Sequence, residues 1–173
     1  MEKPERKNLL VAFCDLTNYA RISRGADDER MFEYLSGVYE IVGEKVERAG
    51  GSVVKFMGDA ALVTFEESDI DKGAVALGEL KAEIDAHNRR AGMDSRMIVK
   101  AHFGQVVAGM VGTKTRKSPD ILGKVVNAAA MLPSLGYAIS PEAHAALKPE
   151  TRALFEERAS PAPVYVGVGS AGE

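Results

Sequence analysis

Two apolar, β-branched-rich runs each end on an aspartate: Val11-Ala12-Phe13-Cys14-Asp15-Leu16-Thr17-Asn18-Tyr19, and Val53-Val54-Lys55-Phe56-Met57-Gly58-Asp59-Ala60-Ala61-Leu62-Val63. An apolar run of this kind reads as a buried strand. A carboxylate at its end reaches a solvent-filled cavity without the cost of isolated burial. If the two strands are neighbours, Asp15 and Asp59 converge into a pair of hard oxygen ligands. Mg²⁺ is typically held by one or two carboxylates plus substrate phosphates, so the pair suits a nucleotide-phosphate site. Taken singly, each aspartate has a plainer use, Asp15 as a turn cap and Asp59 in a Gly-Asp hairpin.

A third stretch follows in Pro119-Asp120-Ile121-Leu122-Gly123-Lys124-Val125-Val126-Asn127-Ala128-Ala129-Ala130-Met131-Leu132. Three motifs thus occur in order: Asp15 with a polar turn and an aromatic, a Lys-x-x-Gly-Asp hairpin, and Asp-x-x-Gly-x-x-x-Asn. Over about residues 9–166 the chain resembles the catalytic domain of class III nucleotidyl cyclases.

The resemblance implies an α+β fold, a ferredoxin-like βαββαβ core with additional C-terminal strands and helix. It implies conversion of ATP to 3′,5′-cyclic AMP and pyrophosphate, with two Mg²⁺ or Mn²⁺ ions held by Asp15, Asp59 and the Leu16 carbonyl. Nucleotide contacts would come from Leu16, Asn18, Tyr19, Lys55, Asp120 and Asn127, with Asn127 on the ribose. It further implies a head-to-tail homodimer with two composite sites. Each site takes Asp15 and Asp59 from one copy and Lys55, Asp120 and Asn127 from the other.

Base choice follows from complementarity. Adenine offers ring-nitrogen acceptors and an exocyclic amine donor, which a Lys donor beside an Asp acceptor satisfies, whereas guanine reverses the polarity of that edge. Lys55 and Asp120 fall at the adenine-selecting positions of the family pattern. The plainer alternatives are a solvated lysine at a strand end and an N-cap for the following helix.

The chain departs from the pattern at its phosphate contacts. Met131 stands where the family usually has an arginine, four residues after Asn127. Ile98 stands at a second arginine position, and Ser160-Pro161-Ala162-Pro163 replaces a lysine-glycine hairpin. Asn18 and Ala20 replace a glycine and a threonine in the turn after Asp15. Arg21, Arg24, Lys100, Lys114, Arg116, Lys117 and Lys124 lie near these positions as substitutes, or as an ordinary solvated basic surface. Two other readings therefore stay open: a degenerate domain that binds nucleotide or a partner, and a cyclase for GTP or a pyrimidine nucleotide. A diguanylate-type transferase ranks below these, because no Gly-Gly-Asp-Glu-Phe-like hairpin is present.

Composition agrees with one enzyme domain spanning residues 1–173, with a core over about 9–168. A chain of 173 residues, 46% hydrophobic, buries one sizeable core. A net charge of −3 gives no overall basic surface for nucleic acid. The single Cys14 excludes an intrachain disulfide and reads as a packed core thiol. No apolar stretch approaches the roughly 20 residues of a membrane span. The expectation is a cytoplasmic protein, with any regulation coming from a separate partner, a ligand or expression level. His102, on a strand, reads as a core or interface histidine.

The elements that must position these residues read as alternating strands and helices. A strand over 9–14 precedes a helix opened by Asp27-Asp28-Glu29 and stopped by Gly50-Gly51. Strands over 53–57 and 60–65 flank the Gly58-Asp59 turn. A helix over about 69–91 follows, then strands over 97–103 and 106–111 bent at Gly104. A basic loop over 112–118 leads into a helix over about 121–132. Strands near 137–140 and 164–168 and a helix from Pro141 complete the expectation.

Overall fold

The computed structural model describes residues 3–134, 136–159 and 163–168. In chain order the elements are β1 (Glu5–Leu16), α1 (Tyr19–Ser23), α2 (Asp28–Arg48), β2 (Ser52–Met57), β3 (Ala60–Glu66), α3 (Ile70–Ala91), β4 (Met97–Gly112), β5 (Lys117–Leu122), α4 (Lys124–Met131), β6 (Tyr137–Ile139), α5 (Pro141–Ala146), α6 (Pro149–Arg152), β7 (Phe155–Ala159) and β8 (Pro163–Gly167). Among the described residues the strands form one sheet of order β2-β3-β1-β4-β6-β8-β7, with β5 paired to β4. The expected βαββαβ core is present as β1, α2, β2, β3, α3 and β4, antiparallel throughout its strand pairs.

The two long helices cover one face of this sheet for reasons visible in their sequences. The Asp27 side chain caps α2 by accepting from the backbone N–H groups of Glu29 and Arg30. Met31, Tyr34, Val38, Val42 and Val46 then fall on one buried stripe. The chain leaves α2 through Gly50, whose φ of 82° favours glycine. Helix α3 buries Ala74, Leu77, Leu80 and Ile84 and ends at Gly92, φ 67°. Both stripes meet Leu10, Ala12, Cys14, Val63, Phe65, Val99 and Ala101 of the sheet in the main core. Buried polar links cross it, among them Tyr34 Oη donating to Asn88 Oδ1 at 2.8 Å while Asn88 Nδ2 donates to the Ser95 carbonyl at 3.0 Å. Both polar ends are thereby satisfied, which keeps their burial from costing stability.

The opposite face is covered differently. Leu9, Val11, Leu62 and Val106 point away from the main core, following the period-2 alternation of their strands, and pack with Ile121 of β5 and Ala129 of α4 in a smaller cluster. Helix α4, of 8 residues, is the helix that packs there.

The structure corrects several expected boundaries. β4 is one strand of 16 residues, not two bent at Gly104. Gly104 serves α4 instead, since a Cβ there would lie 2.8 Å from Val125 Cγ2. The expected basic loop is a hairpin whose second strand is β5, so Asp120 is a strand residue rather than a helix cap. Helix α4 begins three residues later than expected, at Lys124 after Gly123 at φ 156°. β1 runs to Leu16 and pairs along its whole length with β4. α1, α6 and β7 have no counterpart among the expected elements. The Ser160-Pro161-Ala162-Pro163 departure lies outside the described residues except for Pro163.

Candidate active site

Backbone register brings the two aspartates together. Asp15 lies opposite Ala60 in the β1–β3 ladder, so Asp59 is the residue adjoining its cross-strand partner. Asp59 sits at the β2–β3 turn, made tight by Gly58 at φ 63°. The Tyr39 hydroxyl donates to the Gly58 carbonyl, and the Tyr39 ring stacks on Phe56 with centroids 3.8 Å apart. Tyr39 thus pins the hairpin tip to α2. Sequence reasoning missed this residue, whose only signal was an aromatic on α2 lying off the helix's buried stripe.

The carboxylates feel one another. The Asp15 pKa is held above the usual carboxylate value, first by partial burial and then by the Asp59 charge. The backbone N–H of Leu16, which donates to Asp15 Oδ1 at 3.1 Å, and the Lys100 ammonium oppose that rise. Two mutually repelling hard oxygen donors fit a divalent cation, which would relieve the repulsion. Among the described residues no cluster of three or more His, Cys, Asp or Glu could hold a metal, so the candidate is a two-carboxylate site. Tyr19 stands close enough for Asp59 to help raise its phenol pKa, after burial.

The turn beyond Asp15 is fixed by a short network. Asn18 adopts a left-handed conformation, φ 61°, and its Nδ2 donates to the Asp94 carbonyl at 3.1 Å. Thr17 exchanges hydrogen bonds with Arg96, and its carbonyl accepts from Ser95 Oγ at 2.8 Å. Arg21 is ion-paired to Asp94, which occupies one of the cations expected to serve phosphate.

Lys55 and Asp120 are joined across β2 and β5, Nζ to Oδ2 at 2.6 Å, with the Asp120 side chain 19% exposed and Lys55 40%. The Asp120 carboxylate also accepts from the Ile121 N–H at 2.8 Å. A donor and an acceptor therefore stand side by side on rigid strands. Asn127 and Met131 are exposed residues one helical turn apart on α4, sharing a stripe that faces away from the packed Val125, Val126 and Ala129. Met131 is 82% exposed. Lys114 and Arg116 lie at the far β4–β5 turn, and Lys124 is exposed at the start of α4. His102 is half-buried, its Nδ1 3.5 Å from Glu142 on α5, away from the aspartates.

Comparison with known proteins bears on this arrangement. The profile of the family described as "Adenylate and Guanylate cyclase catalytic domain" matches residues 1–165. An adenylate cyclase of Anabaena cylindrica is 25% identical over 137 residues, covering 75% of this chain and 27% of that relative, so the chain spans only about a quarter of its length. A bacterial light-regulated adenylyl cyclase has a similar fold, with a TM-score of 0.85, 16% identity, and coverage of 99% of this chain and 55% of that one. The guanylyl cyclase Cya2 aligns with a TM-score of 0.83 and 18% identity, covering 98% of this chain and 96% of that one. No helix among the described residues is long and apolar enough to cross a membrane.

Proposed function

The chain belongs to the adenylate and guanylate cyclase catalytic-domain family, and from that premise we propose that it cyclises ATP to 3′,5′-cyclic AMP and pyrophosphate at sites shared between two copies. The observation that carries the choice of ATP is the Lys55–Asp120 pair at 2.6 Å. A lysine donor beside a carboxylate acceptor matches the acceptor and donor of the adenine edge.

In the reaction the ribose 3′-oxygen forms a bond to the α-phosphorus, the bond from that phosphorus to the bridging oxygen of pyrophosphate breaks, and the hydroxyl proton passes to solvent. Asp15, Asp59 and the Leu16 carbonyl would hold two Mg²⁺ or Mn²⁺ ions. Such ions, when bound, acidify the hydroxyl and offset charge on the triphosphate. The rest falls to this chain's own residues. The Leu16 N–H orients the Asp15 carboxylate, Tyr39 fixes the turn that carries Asp59, and Lys55 with Asp120 orients the base. Asn127 would reach the ribose from the second copy, since it projects from an exposed α4 stripe. In that geometry a monomer is inactive.

A second reading is favoured by one observation, the exposed apolar Met131 at the arginine position of the family pattern. Loss of a preorganised donor to developing charge costs on the order of 2.7–4 kcal/mol, which would leave a nucleotide-binding domain with little turnover. The test is incubation with ATP, GTP, CTP and UTP, each with Mg²⁺ or Mn²⁺, with products identified by mass spectrometry beside Asp59→Asn. Cyclic AMP that disappears in the variant is the expected result. A different cyclic nucleotide overturns the base assignment, and no cyclic product from a folded dimer favours the second reading.

A further inference from the structure

The sheet register carries Lys100 into the site. On β1, Asp15 lies opposite Ile98 of β4, and Phe13 lies opposite Lys100. Lys100 is therefore the diagonal cross-strand neighbour of Asp15, on the same face of the sheet, within reach of a long side chain. That face is the one covered by α4, since Leu9, Val11 and Val106 of the same alternation pack in its cluster.

The ammonium is also aimed. Lys100 Nζ donates at 3.3 Å to the carbonyl of Ala130, in the last turn of α4, where intrahelical partners run out. The acceptor is neutral and the bond long, so an anionic oxygen that forms a shorter, charge-assisted bond displaces it readily. Several other cations of the fold are already committed to carboxylates: Lys55 to Asp120, Arg21 to Asp94, Lys7 to Glu66 and Lys45 to Glu83. The Lys100 charge meanwhile acts on Asp15, opposing the rise in that carboxyl's pKa. Ile98, directly opposite Asp15, is apolar. Lys114 and Arg116 lie past Gly112, roughly 40 Å of strand from Lys100 at about 3.4 Å per residue.

We propose that Lys100, released from the Ala130 carbonyl, is the cation that binds the phosphate chain of the nucleotide at the Asp15–Asp59 end of the site. The proposal rests on the reading of this site as one for a nucleoside triphosphate, and it assigns the positive charge that Ile98 does not supply on the copy that carries Asp15 and Asp59. Lysine acts here as a mobile point charge rather than a bidentate fork. The α4 terminus is its resting place, and the nucleotide phosphates draw it across to the β1 side.

The experiment is equilibrium binding of ATP and of adenosine to the full chain in the presence of Mn²⁺, for the wild type, Lys100→Met, Lys100→Arg and Lys114→Met. Thermal unfolding of each variant is followed alongside. A hydrogen bond to a charged group is worth about 1.5–3 kcal/mol, or roughly 10- to 150-fold in affinity. Lys100→Met should weaken ATP by that factor and leave adenosine within about twofold. Lys100→Arg should recover most of the loss, and Lys114→Met should change neither ligand. Retained ATP affinity in Lys100→Met, or an equal loss for ATP and adenosine, overturns the proposal, the second outcome marking a merely structural role. Wild-type protein that binds ATP yet makes no cyclic product defeats the proposed function while leaving the Lys100 comparison decisive. Wild type that binds ATP with neither Mn²⁺ nor Mg²⁺ defeats both.

Discussion

Lys55 and Asp120 stand 65 residues apart in sequence, on strands that are not ladder partners, yet their charged atoms lie 2.6 Å apart. The contact ties the β2–β3 hairpin to the β4–β5 hairpin across the α4 face.

Breaking that pair should act on selectivity more than on stability. Its half-exposed lysine limits the net worth of the ion pair to roughly 0–1 kcal/mol. Lys55→Glu replaces the donor with an acceptor and should shift preference from ATP toward GTP by about 1–3 kcal/mol. Competition between the two nucleotides for one enzyme preparation, scored by cyclic product, checks it. An unchanged ratio would remove Lys55 from base recognition.

Asp15→Asn should abolish metal-dependent turnover and, without metal, stabilise the fold. The sign follows from the raised pKa of Asp15, whose causes are burial first and Asp59 second. A carboxyl whose folded pKa lies above its unfolded value binds more protons when folded, so its contribution falls as pH rises from the unfolded value through the folded one. At neutral pH the ionised Asp15 opposes folding, and the neutral amide removes that opposition. Solvent screening of a half-exposed group keeps the gain below the roughly 2–4 °C in Tm that 1 kcal/mol yields in a chain of this size. Calorimetry at pH 7 in chelator is the measurement, and a lowered Tm would contradict it.

Gly104→Ala should lower activity by more than it lowers stability. The new methyl would meet Val125 Cγ2 at 2.8 Å, forcing α4, which carries Asn127 and Met131, away from the sheet. Gly73→Ala supplies the contrast, because its Cβ would lie 2.5 Å from the ring of Phe65, which is 1% exposed in the main core. Overpacking there costs about 1–3 kcal/mol. Comparing the ratio of kcat to Tm loss between the two variants checks the distinction.

Cys14 should resist thiol reagents in the native state. Burial pushes its pKa up to about 12, with the Asp15 charge a smaller contributor, so almost no thiolate exists at pH 8. Labelling with a chromogenic disulfide should be slow until denaturant is added. Fast labelling of folded protein would show that β1 opens.

The chain reveals the site's carboxylates more readily than its cations. Asp15 and Asp59 end apolar runs whose alternation survives folding, and the Gly58-Asp59 turn, the Asp27 cap and the Gly50 stop each have a local cause. β5 has none. Only Ile121 of Lys117–Leu122 is buried, Pro119 interrupts the run, and the strand exists because β4 overhangs far enough to pair with it. The misplaced start of α4 follows from the same omission. Phe155–Ala159 is charged in its middle, so β7 forms through its ladder with β8 rather than through intrinsic preference. Lys100 shares its strand face with Ile98 by period 2, which makes it one of several candidate cations in the sequence, and only the register of Phe13 and Asp15 against β4 sets it apart beside Asp15.

The register of β1 also links manufacture to competence. Cys14 faces the main core and Asp15 the opposite side, opposite Ala61 and Ala60 of β3. A slip of one residue would exchange their faces, burying a carboxylate under α2 and α3 and turning the sulfhydryl outward. A misassembled molecule would therefore lose its candidate metal ligand and become open to alkylation in the same error. A single thiol count on a purified batch would report the fraction of chains aligned for work.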